Sequence, residues 1–283
     1  MGNAISVHVG LNRVDPDHYG GWDGALRACE NDARDMAALA EQLGYAPTLL
    51  LSPDGTVRKV TNAIRRAART LASGDALLVT YAGHGAQVPD RNGDEAKREA
   101  GEIGEAGDAY DETWVLYDRQ LVDDELWALW GEFAAGVRIF VVSDSCHSGT
   151  VARPAPWDTE NVDPWPSRRM PLDVQDRVYE AHRATYDRVQ RRTRHRDPAS
   201  INASVALLSG CQDNQTSGDG TENGRFTGRL LEVWAAGEGA TFTGPLELLH
   251  RTIVAGMPPY QTPNLYRVGR SDRRAATAAA LRP

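Results

Sequence analysis

Two short stretches of the chain hold residue types capable of covalent chemistry. In Val137-Arg-Ile-Phe-Val-Val-Ser-Asp-Ser-Cys146-His-Ser-Gly149 an apolar run stops at a cysteine set among small polar residues. In Asp75-Ala-Leu-Leu-Val-Thr-Tyr-Ala-Gly83-His84-Gly85 a similar run stops at a histidine between glycines. Thiolate and imidazole together suffice for acyl transfer: the sulfur attacks a carbonyl, and the imidazole stabilises the thiolate and protonates the departing amine. Apart from Arg138 the run 137–142 is β-branched or aromatic, and both runs suit inner strands of a parallel sheet covered on both faces. Such strands present their C-terminal ends as the functional edge, so two of them would deliver His84 and Cys146 to one place. His147 is adjacent to Cys146, but neighbours on an extended segment point to opposite faces, which leaves His84 as the base. Asp144, two residues before the cysteine, shares its side of the segment and is expected to face the substrate cleft.

Tyr81-Ala-Gly-His-Gly85 followed by Asp144-Ser-Cys-His-Ser-Gly149 resembles the paired signature motifs of metacaspases and orthocaspases, the caspase-like cysteine peptidases of clan CD, family C14. Ser209-Gly-Cys-Gln-Asp-Asn-Gln-Thr-Ser217 and Asn223-Gly-Arg-Phe-Thr-Gly228 resemble that family's small-subunit block, so the likeness covers nearly the whole chain. The resemblance implies a three-layer α/β/α sandwich of caspase-hemoglobinase type with a mainly parallel six-stranded sheet. It implies Cys146 as nucleophile, His84 as its partner, and the backbone N–H groups of Gly85 and Cys146 as the oxyanion hole. It also implies that Asp144, with Asp32 of Cys29-Glu-Asn-Asp32, lines a pocket selecting Arg or Lys before the cleaved bond; two carboxylates there attract a guanidinium strongly. The non-catalytic alternatives are an inert buried thiol for Cys146, a turn residue for His84, a strand-end cap for Asp144 and a helix-surface carboxylate for Asp32.

Calcium is a further expectation from the resemblance. The acidic stretch 89–111 and Asp123-Asp124 are similar to the calcium-responsive region of metacaspases, with Asp111, Asp123 and Asp124 as oxygen ligands of the kind Ca²⁺ takes. Two features oppose it: Arg153 stands where a ligand would follow the cysteine, and Asp90-Arg-Asn-Gly-Asp94 lacks the glutamate that would complete an EF-hand. Ala82 also stands where the family commonly has serine before Gly-His-Gly.

At 283 residues the chain has length for one large domain or two small ones, either with a proper core, and 41% hydrophobic and 25% charged content is ordinary for a soluble globular protein; the resemblance implies a single caspase-like domain. A formal net charge of −8 argues against nucleic acid as a partner and suits basic protein or peptide substrates. No stretch approaches the roughly 20 apolar residues of a membrane span, and no secretory leader is visible at the N-terminus. Met1-Gly-Asn-Ala-Ile-Ser6 fits a myristoylation pattern, but residues 4–11 read as a strand that would bury the anchor. Three cysteines without metal-ligand spacing are expected to stay reduced in a cytoplasm, and the chain is read as a monomer.

In chain order, strand 4–11 precedes a helix with Asp23 as its cap and Leu26, Cys29, Ala33, Met36, Leu39, Ala40 and Leu43 as its apolar stripe. Strand 47–51, a helix opened by Asp54-Gly-Thr56, and the His84 strand complete a βαβαβ pattern, the sign of a parallel sheet. Residues 112–117 read as a short strand and Val122-Asp-Asp-Glu-Leu126 as a helix start. Residues 1–152 form a large-subunit-like block, 153–200 an Arg- and Pro-rich linker that is partly helix-compatible, 201–270 a small-subunit-like block with a strand at 204–209, helices at 226–234 and 246–254 and a strand at 264–268, and 271–283 a frayed tail. The linker offers Arg168-Arg169 and the run Arg188 to Arg196 for self-processing. The rival readings are a catalytically silent interaction module of the same fold and a nucleic-acid-linked regulator using the Arg188 to Arg196 cluster.

Overall fold

The structure is a computed structural model that describes residues 2–91, 110–146, 165–193, 200–212, 215–237, 241–270 and 279–283. A six-stranded sheet runs in the order β2-β1-β3-β7-β8-β9, built from β1 (Ala4–Gly10), β2 (Ala46–Leu51), β3 (Ala76–Ala82), β7 (Arg138–Asp144), β8 (Ser204–Ser209) and β9 (Asn264–Gly269). All neighbours are parallel except β9, which closes the edge antiparallel to β8. Every residue of β3 is buried, as the unbroken apolar run requires of a strand covered on both faces.

Alternating side chains feed two cores. Leu77, Val79 and Tyr81 of β3 pack with Val60, Ile64 and Ala67 of α2 (Val57–Thr70) and with Leu126 and Leu129 of α3 (Asp123–Trp130). Leu78 of β3 and Phe140 of β7 pack on the opposite face with Met36 and Leu39 of α1 (Cys29–Gln42), Leu230 of α5 (Arg225–Ala235) and Leu249 of α6 (Leu246–Val254). The sandwich therefore has the three layers expected. Thr56 caps α2 through its side chain, which accepts from the Lys59 amide.

Several expectations needed correction. The first helix begins at Cys29, with Ala28 before it, and Asp23 does not cap it. Gly20, Gly21 and Gly24 all have positive φ, and the Leu26 amide donates to the Asn12 carbonyl, so residues 12–28 fold back over the sheet edge before any helix can start. The strand near 112–117 is β5 (Tyr110–Val115). It belongs to a separate antiparallel sheet with β4 (Gly85–Pro89) and β6 (Gln120–Val122). The linker contains α4 (Leu172–Thr193), whose Val174, Val178, Tyr179 and Tyr186 form a third core with Val14, Tyr19, Val88 and Val115. The end of the tail is packed, not frayed: Ala280 and Leu281 join the second core, and the Tyr45 hydroxyl donates to the Leu281 carbonyl. Among the described residues, no helix is long and apolar enough to cross a membrane.

Candidate active site

The register of β3 on β7 pairs Ala82 with Asp144, so the residues that follow each strand leave the sheet side by side. Gly85 has to be glycine, because a Cβ there would run into the Cys146 carbonyl. The turn carrying His84 is fixed by the Tyr81 hydroxyl, which donates to the carbonyls of His84 (2.6 Å) and Val115 (3.1 Å).

His84 is buried, with Nε2 3.2 Å from the Gly24 carbonyl oxygen. A carbonyl can only accept, so Nε2 carries the proton, and buried Nδ1, which has no partner, keeps its lone pair. Burial lowers the imidazole pKa to about 4, the Arg168 charge adding to it and the Gly24 carbonyl opposing it; His84 is therefore a neutral base at neutral pH. Burial raises the Cys146 pKa, but hydrogen bonds involving Cys211, the Ser217 amide and Ser167 outweigh it and hold the thiol below its ordinary range. The Ser217 amide lies 2.9 Å from Sγ. An acidified thiol and a neutral imidazole, carried on turns that leave neighbouring strands together, are the two groups nucleophilic attack requires.

A segment of the chain itself lies across this pair. Pro166 to Arg168 runs antiparallel to Ser217–Asp219: the Arg168 amide donates to the Ser217 carbonyl (2.9 Å) and the Asp219 amide to the Pro166 carbonyl (2.7 Å). The Arg168 carbonyl oxygen accepts from the amides of Gly85 (2.9 Å) and Cys146 (3.4 Å), and the Met170 amide donates to the Gly85 carbonyl (3.0 Å). The peptide bond joining Arg168 to Arg169 is thereby held with its carbonyl polarised by two N–H donors beside the thiol.

The Arg168 side chain is fully buried. Its Nη2 meets Asp32 at 2.6 Å and Asp219 at 2.9 Å, its Nη1 meets Asp144 at 2.9 Å, and its Nε donates to Asp219 at 3.3 Å. The carboxylates are themselves held. Asp144 accepts from Ser217 Oγ, the Thr227 amide and Thr227 Oγ1; Asp32 accepts from the Gly224 amide and Asn223 Nδ2. Burial pushes Asp32 up to about 6 even against the Arg168 charge, whereas the three carboxylates keep Arg168 firmly protonated despite its own burial.

Cys146, His84, Gly85, Asp32 and Asp144 thus come together as the sequence suggests. Asp219, Ser217 and Gly24 belong to the same site without being marked by the cysteine and histidine motifs. Asp219 follows Ser217 by two residues, directly after the small-subunit motif, and that proximity was the available signal. Arg168 of the Arg168-Arg169 run occupies the pocket, which its sequence context does not indicate. Asp111, Asp123 and Asp124 lie elsewhere, on β5 and at the start of α3. Asp123 Oδ1 accepts the Asp124 amide and Asp124 Oδ2 accepts Thr193 Oγ1, both at 2.9 Å. Among the described residues, no group of three or more His, Cys, Asp or Glu side chains is placed to hold a metal. His147, Arg153 and residues 92–109 of the acidic stretch lie outside the described residues.

A family model described as the caspase domain matches residues 14–271. A metacaspase-1 from Mycosarcoma maydis is 29% identical over 260 residues, 81% of this chain and 60% of that protein. A metacaspase-1 from Kluyveromyces lactis is 31% identical over 271 residues, 83% of this chain and 58% of that protein. The chain thus spans roughly 60% of the length of these curated relatives. A crystallised protein from Geobacter sulfurreducens superposes with a TM-score of 0.85 at 46% identity, covering 98% of this chain and 97% of its own. Caspase-1 from Spodoptera frugiperda shares the fold, with a TM-score of 0.51 at 11% identity over 95% of this chain and 89% of its own.

Proposed function

We propose, from the premise that this chain belongs to the caspase-domain family, that it is a cysteine endopeptidase cutting after arginine or lysine. The observation that carries this is the seating of Arg168, whose guanidinium meets three carboxylates while its carbonyl oxygen accepts from Gly85 and Cys146. A positively charged side chain before a peptide carbonyl is what such a pocket binds, since charge-assisted hydrogen bonds in a water-excluded site are the strong ones.

The chemistry follows from the same atoms. The Cys146 thiolate attacks the carbonyl carbon, and the oxygen takes up negative charge between the N–H groups of Gly85 and Cys146. The C–N bond then breaks as His84 Nδ1 delivers the thiol's proton to the departing amine, leaving a thioester on Cys146. Water adds with His84 as base, the C–S bond breaks, and the acid product and the free thiol are released.

The chain is also proposed to be its own first substrate, at the bond between Arg168 and Arg169. Until that bond is cut, any outside substrate competes with Arg168 for the pocket. The reading includes proteins or peptides as partners, action as a monomer, and a cytoplasmic setting in which buried Cys29, Cys146 and Cys211 remain thiols.

Fluorogenic peptides ending in Arg, Lys or Asp test this. The expected result is release of fluorophore after Arg and Lys only, and none from Cys146→Ala. Turnover of the Asp peptide alone, or equal turnover by the Ala variant, would sink the proposal.

A further inference from the structure

Asp219 contacts the guanidinium differently from the other two carboxylates. Asp32 and Asp144 meet the far end of Arg168, at Nη2 and Nη1. Asp219 takes the side edge: one oxygen, Oδ1, accepts from both Nε (3.3 Å) and Nη2 (2.9 Å). That carboxylate is pre-set by the chain entering α1, because the Arg27 amide donates to Oδ2 (2.8 Å) and the Ala28 amide to Oδ1 (3.3 Å). It sits on the same short stretch that aligns the backbone of the occupant, its own amide donating to the Pro166 carbonyl (2.7 Å).

From this we infer that Asp219 is the residue that makes the pocket prefer arginine to lysine, an inference that rests on the Arg/Lys peptidase reading above. Lysine has a methylene where arginine has Nε, and a single nitrogen at the end of its stem. It can approach Asp32 and Asp144, but it presents no side-edge donor to Asp219 Oδ1 and leaves an apolar group facing a buried carboxylate. Arginine fills that edge with two N–H bonds in a planar fork, a geometry lysine cannot reproduce. Asp32 and Asp144 therefore recognise positive charge, and Asp219 recognises the guanidinium shape.

The test compares kcat/KM for matched Arg- and Lys-ended fluorogenic peptides on the full chain, in wild type, Asp219→Asn and Asp32→Asn. Arg168 competes with either peptide alike, so its occupancy cancels in the Arg-to-Lys ratio. Asp219→Asn is expected to lower that ratio about tenfold or more, since a charge-assisted bond is worth at least that factor, whereas Asp32→Asn lowers both substrates and leaves the ratio within about threefold of wild type, the scatter usual for single contacts. Asp219 also anchors the Arg27 amide, so a second measurement uses the wild type alone: a peptide whose arginine Nε is replaced by methylene, leaving a terminal amidine. It is expected to be cut about tenfold or more less efficiently than the Arg peptide, by the same bond loss. An unchanged Arg-to-Lys ratio in Asp219→Asn, or an amidine peptide cut as well as the Arg peptide, overturns the inference while leaving the peptidase intact. Failure of the wild type to cut after either Arg or Lys overturns both.

Discussion

The carbonyl oxygen of Gly24 lies 3.2 Å from Nε2 of His84, and this contact decides which imidazole nitrogen is available for chemistry. Gly24 has φ +59°, a conformation L side chains rarely adopt, and a Cβ there would lie 3.4 Å from His84 Cδ2, 3.1 Å from Val14 and 3.2 Å from Trp22. Trp22 covers the imidazole from the same loop, with ring centroids 4.8 Å apart. The loop ahead of α1 thus belongs to the candidate active site, to which it supplies a carbonyl and an aromatic face.

Gly24→Ala should therefore slow catalysis without abolishing substrate binding. Left-handed backbone costs a non-glycine residue about 1–2 kcal/mol, and relieving that strain moves the acceptor that holds the His84 tautomer. The expected outcome is a fall in kcat of about tenfold, the scale on which such strain converts to rate, with KM little changed in steady-state assays on an Arg peptide. A rise in KM at constant kcat would assign the loop to substrate binding.

Asp144→Asn should weaken cleavage after arginine more than a surface charge change would. The Asp144 carboxylate accepts from Ser217 and twice from Thr227 as well as meeting the guanidinium, and an amide turns one of those acceptors into a donor facing donors. The loss is expected to be about 2 kcal/mol or more in transition-state stabilisation, as for other broken buried charge pairs, read as a fall in kcat/KM for the Arg peptide. Unchanged kcat/KM would place the recognition elsewhere.

Stability should fall as the pH drops from about 6.5 toward 4. His84 is lowered from 6.5 to about 4 and His8 to about 3, in each case chiefly by burial. A group with a lowered folded pKa binds fewer protons folded than unfolded, so its contribution is complete above 6.5 and is lost as the pH falls below it. Asp32, raised to about 6 chiefly by burial, works in the opposite sense over the range between about 6 and 3.8 and offsets part of the loss. The two histidines outweigh it, giving a net loss on the order of a few kcal/mol. Urea midpoints at pH 7.5, 6 and 5 measure this; a midpoint that rises on acidification would refute the assignment.

What was legible in the sequence follows a physical division. β3, β7 and β8 announce themselves because strands buried on both faces must be continuous apolar runs, and the residues just past β3 and β7 had to meet at one edge. Asp32 and Asp144 were legible through motifs. The antiparallel sheet of β4, β5 and β6 was not, since Gly85 to Pro89 has no alternating pattern and its partners lie beyond the acidic stretch. The helix start at Cys29 was misplaced because glycine-rich residues 20–24 look like a turn leading directly into a cap, whereas their positive φ values carry the chain back over His84. The role of residues 165–170 was hidden for a different reason: the Arg168 side chain is a solvated charge by every compositional rule, and only the convergence of three distant aspartates makes its complete burial stable.

That burial makes the last prediction specific to one bond. Arg168 and Arg169 are adjacent and chemically alike, yet only Arg168 is enclosed by Asp32, Asp144 and Asp219. Only the Arg168 carbonyl accepts from both Gly85 and Cys146. Arg169 pairs with Gly85 in the backbone, directly after the Arg168 carbonyl, and burial lowers its pKa with the Cys146 charge opposing. Cleavage should therefore fall between the two arginines, giving one fragment that ends at Arg168 and another that begins at Arg169. α4 starts only at Leu172 and is held by its own core of Val174, Val178 and Tyr186 against Val88 and Val115, so the two pieces should stay associated after the cut. Intact-mass analysis of wild type, Cys146→Ala and Arg168→Ala under native and denaturing conditions checks each part. The wild type should show both fragments when denatured and a single particle when native, and the two variants should remain whole at this bond. Arg168→Ala should also cut an added Arg peptide without the lag that self-occupancy imposes on freshly prepared wild type. Cleavage after Arg169 in place of Arg168, or fragments from Cys146→Ala, would show that the seated arginine is not the residue before the scissile bond.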